Sequence, residues 1–362
     1  MIKKAISLFS ILLVLFIACK KDKDKETPSG YDQSALLSNW SDNLIVPDYK
    51  SYVESTEKLR LEVSKIKENT NIKDLLEIKL LYREVCLSWQ KVSFFEFGPA
   101  ANVLLRANTN TYPCDTAGVE SKISTSDLDL SKTSDLNRKG LPALDYVLYN
   151  PRINVLDKKR LDYVVAITTE LASNASKVYN SWTGGYASTF KGSKGTSAGS
   201  SVSLMLNGIT LHFERYLRDG KVGIPAGLRS FSGTPLPGHI ESTYQAGSFS
   251  KELLRANYNQ FMDIYRGHSS STTIDGEGLD DYLLAIGAKT AGSSLDEAIE
   301  NQFSEVEKSI ALLPSNFNPD VIQQKDKFSN THKEMQKLIL LLKADVPSSL
   351  GVLISYQDSD GD

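Results

Sequence analysis

Residues 72–97 read IKDLLEIKLLYREVCLSWQKVSFFEF. Leu75, Ile78, Leu81, Val85, Trp89, Val92 and Phe95 follow one another at intervals of three and four. That spacing matches the turn of an α-helix and puts these side chains on one face. A half-buried strand would alternate with a period of two, and this segment does not. A helix with one apolar face must bury it against a partner, so the segment predicts helix-on-helix packing.

The same spacing recurs on both sides. It predicts helices over 34–46, 49–67, 154–182, 200–219, 249–266, 278–287, 294–313 and 319–345. In 154–182 the stripe includes Val155, Leu161, Val165, Ile167 and Leu171. No series of alternating runs with hairpin signals appears, so the fold class is all-α. Gly98-Pro99, Pro151, Gly220 and Pro314 punctuate the helices. From Gly98 to about residue 139 the chain reads as a polar loop, and 227–248 as a second long loop. Residues 183–200, TGGYASTFKGSKGTSAGS, are Gly- and Ser-rich and read as a linker too polar and permissive to pack.

A chain of 362 residues is long for one compact core, so two subdomains are expected, 34–190 and 191–362. A faint internal echo supports this. Gly140-Leu141-Pro142-Ala143-Leu144-Asp145-Tyr146 is echoed by Gly278-Leu279-Asp280-Asp281-Tyr282, and Gly98-Pro99-Ala100 by Ile224-Pro225-Ala226. Two related up-down helical bundles packed side by side would produce it.

The N-terminus reads as an export signal. Lys3 and Lys4 precede the apolar run Ala5–Ala18, and Cys19 follows. Fourteen positions are too few to span a bilayer stably, which weighs against a transmembrane anchor. Phe16-Ile17-Ala18-Cys19 looks like a bacterial lipobox, with Phe16 a loose fit, so residues 1–18 are expected to be removed and Cys19 acylated. Residues 19–33, with the charged KKDKDKETPSG, should form a tether. The expected location is the outer membrane, facing the periplasm or the cell surface.

The formal charge is −3, and losing Lys3 and Lys4 leaves 39 basic against 44 acidic residues. No basic stripe stands out, so nucleic acid is excluded as an expected partner. Beyond Cys19, Cys86 lies in an apolar helical pattern and Cys114 in a loop. An oxidising compartment permits a bridge between them, and two unpaired thiols are equally compatible with the pattern.

Several segments, in order, resemble the imelysin-like family. They are Phe97-Gly98-Pro99 after a Trp-containing helix, Gly140-Leu141-Pro142-Ala143-Leu144-Asp145-Tyr146, Gly223-Ile224-Pro225-Ala226-Gly227 after a helix with Asn207, and Leu350-Gly351-Val352 with the terminal Asp360-Gly361-Asp362. The resemblance covers about residues 35–362. It implies an all-α fold of two bundles, a peptidase-like ancestry and a tie to bacterial iron uptake. Iron or haem is the cofactor it suggests, and an outer-membrane iron or haem transporter the partner.

The family's signature, Gly-x-His-x-x-Glu, sets imidazole and carboxylate on one helix face, a pair able to hold a transition metal. The matching positions here are Gly140, Pro142 and Asp145. Proline has no side-chain lone pair and cannot ligate. It does suit a first helical turn, where its missing N–H costs nothing. The segment can therefore keep its structural role while losing the metal.

The sequence holds four histidines, His212, His239, His268 and His332, none in a His-x-x-Glu or His-Glu-x-x-His pattern. His212 follows the stripe Met205, Ile209, His212, Tyr216 and reads first as a hydrogen-bonded core histidine, second as a ligand. Glu214 and Arg218, four apart, read as an exposed pair. Gly238-His239-Ile240-Glu241 reads as surface loop, or else as a loop reaching a cleft. Asp358-Ser359-Asp360-Gly361-Asp362 lacks the twelve-residue loop and closing Glu of an EF-hand and reads as a solvated tail. The candidate site is a polar cleft lined by Glu96, Asp145, His212 and Glu241, with no metal assigned.

The sequence thus predicts a lipid-anchored binding or accessory protein of iron or haem uptake. The alternatives are a metallopeptidase with a rearranged site, or a structural surface lipoprotein.

Overall fold

A computed structural model describes residues 30–65, 72–154, 157–245 and 248–356. The signal, Cys19 and the acidic terminus at Asp358–Asp362 lie outside these described residues, as does Val155. The described chain is all-α. Its strands are confined to one two-residue pair, Lys289–Thr290 with Ser293–Ser294, antiparallel.

The chain enters through Ser34–Asn39 and a π-helical turn, Trp40–Ile45, and continues as α1 (Val46–Lys65). Then come α2 (Ile72–Val92), α3 (Gly140–Tyr149) and α4 (Lys158–Ser181). Helix α5 (Ser201–Leu211) runs on without a break into a π-helix, His212–Gly223. Helices α6 (Ser248–Arg266), α7 (Leu295–Ala311) and α8 (Lys325–Leu340) complete the larger elements. Helix α1 packs on α2 and α4, while α8 packs on α7 and on the π-helix. Helix α6 touches α2 and the π-helix, joining the two groups.

The quoted stripe is buried as its spacing requires. Ile78, Val85, Trp89, Val92 and Phe95 are all inside, whereas Leu76 and Leu80, off the stripe, are exposed. Trp89 packs on Tyr52 of α1 at 5.8 Å between ring centroids. Beyond the end of α2, Phe94 meets Phe261 of α6, which packs on Phe213 and Phe303. Each such buried ring contributes about 1.5–3 kcal/mol of transfer free energy. The apolar core is continuous across both groups of helices.

Local sequence sets the helix ends. Asp157 caps α4 by accepting from the N–H of Lys159 and Arg160 at 3.0 and 3.3 Å. Ser294 does the same for α7 through Glu297 N–H. Such caps satisfy backbone donors that the helix itself leaves unpaired.

Three expectations need correction. Residues 98–139 are not one loop. They hold short helices at Pro99–Asn102, Leu105–Thr109 and Thr116–Thr125, too short for a periodic stripe to announce them. Much of the Gly/Ser stretch is helical as well. Trp182–Tyr186 and Ala187–Gly192 continue α4, and buried Phe190 stacks on Phe97 at 5.9 Å. Tyr186 packs on buried Trp182 at 4.9 Å and Lys191 pairs with Asp42 at 2.7 Å, so contacts outside the segment order it. The end of the expected tether is also packed. Tyr31 stacks on Tyr282 at 4.2 Å, and Gln33 is buried. Cys86 and Cys114 are both free thiols.

Gly140 starts α3 with φ +69, and a Cβ there would come within 2.2 Å of the Thr109 carbonyl oxygen. Gly140→Ala should therefore lower unfolding stability by at least the ~1–3 kcal/mol of left-handed strain. Gly192→Ala, where the added Cβ meets open space, should stay within about 0.5 kcal/mol of the parent. Denaturant unfolding followed by circular dichroism separates the two, and equal effects would contradict the assignment.

Candidate functional site

The π-helix His212–Gly223 builds one wall of a cavity of about 340 Å³. His212, Arg215, Tyr216, Gly220, Lys221 and Ile224 all line it. At the roughly 100° per residue of an α-helix these six would scatter over roughly 240° of the circumference. The wider i→i+5 turn gathers them on one face, and π segments of this kind concentrate at functional sites. The other face is structural. Phe213 and Leu217 enter the core. Glu214 is buried and held by Lys343 at 3.2 Å and by the hydroxyl of Tyr356 at 3.0 Å. Arg218 is buried beside it and pairs with Asp219 at 3.0 Å. The expectation of an exposed Glu214–Arg218 pair is therefore wrong. Lys343 and Tyr356, more than a hundred residues away, cover Glu214, and Arg218 is fully buried beside Asp219.

Arg106 occupies the centre of the site. It stands on the short helix Leu105–Thr109, entered through a left-handed Leu104 with φ 48. Its Nε donates to Glu96 and its Nη2 to the carbonyl oxygen of Ser93. Nη2 also reaches His212 Nδ1 at 2.8 Å. The guanidinium plane lies on Tyr216, 3.8 Å from the ring centre.

This arrangement fixes the histidine tautomer. A guanidinium has only donors, so His212 Nδ1 must accept. On the other side, Nε2 faces Asn257 Oδ1 at 2.8 Å. That amide is oriented because its Nδ2 donates to the Gln90 carbonyl oxygen at 2.9 Å and to Ser93 Oγ at 3.1 Å. His212 is therefore neutral and carries its proton on Nε2. Burial and then the Arg106 charge hold its pKa well below the usual value. Phe94 packs against the ring at 3.9 Å. The reading of His212 as a hydrogen-bonded core histidine and its place in the cavity wall hold together.

A second charge pair faces the first. Glu241 Oε2 takes a hydrogen bond from Lys221, and its Oε1 accepts from Gln90 at 3.2 Å and Asn110 at 3.1 Å. Ser250 Oγ donates to the Glu241 backbone carbonyl. Burial lowers the Lys221 pKa, and the Glu241 carboxylate opposes that shift. His239 also lines the cavity, so the segment 238–241 belongs to the site and is not plain surface loop. Trp89, Tyr112 and Tyr216 supply aromatic walls.

Of the four residues predicted to share a cleft, Glu96, His212 and Glu241 line this cavity and Asp145 does not. Asp145 lies on the buried face of α3, where its Oδ2 accepts from Tyr244 N–H at 2.9 Å. Burial pushes its pKa up to about 7, the Tyr244 N–H pulls it down, and the nearby Glu241 charge pushes it up again. Pro142 is buried in the first turn of the same helix. The sequence reading also missed Arg106, Lys221, Gln90 and Asn257. One signal was available for Arg106, an isolated cation in the apolar run Val103-Leu104-Leu105-Arg106-Ala107.

These residues do not fit a metal. Both His212 nitrogens are engaged, Glu241 is tied to Lys221 and Asp145 to a backbone N–H. Among the described residues, no three His, Cys, Asp or Glu side chains converge as a ligand set.

The family model described as Imelysin, a peptidase family, matches residues 45–344. The chain belongs to the imelysin family. Two solved structures share its fold. One is described as an iron-regulated protein A precursor from Parabacteroides distasonis, 19% identical, TM-score 0.73, covering 88% of this chain and 95% of its own. The other is an imelysin-like protein from Psychrobacter arcticum, 15% identical, TM-score 0.71, covering 90% and 97%. No curated protein matches the chain. In this imelysin-family chain the cavity sits where α2, the Arg106 helix, the π-helix and the 238–241 segment meet.

Asp145 gives a pH signature. Between about pH 4 and 7 the unfolded carboxyl has lost its proton and the folded one keeps it, so stability falls as pH rises through that window. Asp48, raised to about 6, and Asp280, raised to about 7, add the same sign. Asp145→Asn keeps an acceptor for Tyr244 N–H and should flatten part of this slope. Unfolding midpoints at about pH 4 and about pH 7.5 check this, and an unchanged slope would contradict a buried, protonated Asp145.

Proposed function

We propose that this imelysin-family protein is an exported, lipid-anchored binding or accessory component of bacterial iron or haem acquisition, which holds a ligand in the Arg106–His212–Glu241 cavity. The observation that carries the binding reading is how the cavity's charges are used. Arg106 is paired with Glu96, Lys221 with Glu241, and the buried imidazole of His212 is locked between a guanidinium and an amide. A general base needs a free lone pair near the reacting atom, and a catalytic zinc about three protein ligands. Among the described residues no three ligands converge, and His239, the second imidazole of the lining, has no carboxylate paired with it to make it a base. A rigid polar pocket with aromatic walls, at the small end of ligand-site volumes, suits recognition instead.

The iron connection draws support from the family and from a neighbour of the same fold described as iron-regulated. The anchor draws support from Phe16-Ile17-Ala18-Cys19 after Lys3 and Lys4. Several acyl chains on one Cys would give stable membrane attachment where one chain does not. A surface-anchored protein of this kind would act beside an outer-membrane iron or haem transporter. With Pro142 at the family's histidine position, the metallopeptidase reading lacks its first ligand. The buried polar cavity argues against a purely structural lipoprotein.

Deleting the protein from its host should slow growth under iron limitation and leave iron-replete growth unchanged. Wild type should restore it, whereas Cys19→Ala should accumulate as unprocessed or soluble protein and restore it poorly. Purified protein should not cleave insulin chains or casein in a chelator-sensitive way. Equal growth of the deletion strain at low iron would overturn the iron reading. Normal membrane fractionation of Cys19→Ala would overturn the anchor, and chelator-sensitive hydrolysis would overturn the binding role.

A further inference from the structure

The pairing inside the cavity is incomplete, and what is left over has a chemical character. The Arg106 side chain is 8% exposed. Its Nε and Nη2 are engaged, and Nη1 makes no hydrogen bond to any described residue. Lys221, equally buried, uses one of its three N–H donors on Glu241. Arg215 adds a third cationic side chain to the lining, against the two carboxylates Glu96 and Glu241. His212 is neutral by its tautomer, and Arg106 and Lys221 offset the two carboxylates, so what the lining has in excess is N–H donors.

One acceptor is also left over. Asn110 Nδ2 donates to Glu241, which fixes the amide orientation. Its Oδ1 is buried with no hydrogen-bond partner among the described residues. A buried acceptor without a donor forfeits the hydrogen bond it had in water, so a ligand that brings a hydroxyl there recovers that loss.

Excess N–H donors on an Arg and a Lys attract oxyanions, and they do so most strongly where water is excluded. The same charges repel a bare metal cation, because both carboxylates that could receive one are already paired. We propose that the cavity takes a small hydroxylated oxyanion of the hydroxycarboxylate class, its anionic oxygens on Arg106 Nη1 and Lys221 Nζ and its hydroxyl on Asn110. This rests on reading the cavity as the binding site. Hydroxycarboxylates chelate ferric iron through hard oxygen atoms, so the ligand has two sources, the free acid or its ferric chelate.

Isothermal titration of the mature protein tests it, with sodium citrate, ferric citrate and manganese(II) chloride as probes. Citrate should bind, more weakly as salt rises, and manganese should not. Affinity for citrate should fall roughly tenfold or more in Lys221→Gln and in Asn110→Ala, with folding checked by circular dichroism. Arg106→Lys keeps the charge but loses the fork, and should weaken binding while remaining folded. Tighter binding of ferric citrate than of citrate identifies the chelate as the source, and equal or weaker binding identifies the free acid. Manganese binding that Glu241→Gln abolishes, with citrate silent, overturns the anion class and leaves the cavity as the site. Citrate binding that all three variants retain unchanged overturns both.

Discussion

A guanidinium cannot give up its charge, so a fold that buries Arg106 must surround it with acceptors. Much of the site follows from that constraint. Glu96 supplies the counter-charge, and the end of α2 supplies a backbone carbonyl at Ser93. His212 supplies a lone pair, which it can offer only as the neutral Nε2–H tautomer. Asn257 on α6 must then accept, and its own amide is anchored to Gln90 and Ser93. One buried charge therefore ties α2, the Leu105–Thr109 helix, the π-helix and α6 into a single polar network. Breaking such a network leaves an uncompensated buried charge, which is far more costly than losing a surface pair.

The long helices were legible in the sequence because burial imposes a period. Trp89, Val85 and Ile78 must face inward together, and their spacing says so. The short helices between Pro99 and Thr125 carry no such stripe and are held by tertiary contact. Arg106 stands on one of them and so went unread. The π-helix was also out of reach, because nothing in the residues His212–Gly223 by themselves separates i→i+5 from i→i+4 bonding. Glu214 and Arg218 have the spacing of a solvent-facing pair. Lys343 and Tyr356, distant in sequence, and the packing of α8 on the π-helix turn that face into interior.

Candidate site residues were read with the same limits. His212 was found because a polar residue on an apolar stripe needs a partner. Glu96 and Glu241 were found as carboxylates at a helix end and in a loop. All three line the cavity. Asp145 was chosen for its place in a motif, and the helix carrying it turns that side chain into the core, where Tyr244 N–H receives it. Pro142 fits the same picture, since it opens the helix and offers no lone pair to a metal. The segment from Gly140 to Tyr149 works as a packing element in the core, and Arg106 and Lys221 bring the cations to the cavity.

The state of His212 reports directly on whether Arg106 organises this site. Nitrogen-15 NMR of histidine-labelled protein across about pH 5.5–8 reads both tautomer and titration, against an ordinary histidine pKa of about 6.5. A neutral Nε2–H imidazole that does not titrate in that range is the expected result. Titration near the ordinary value, or a proton on Nδ1, would mean that Arg106 does not donate to His212 and that the cavity is not organised around it.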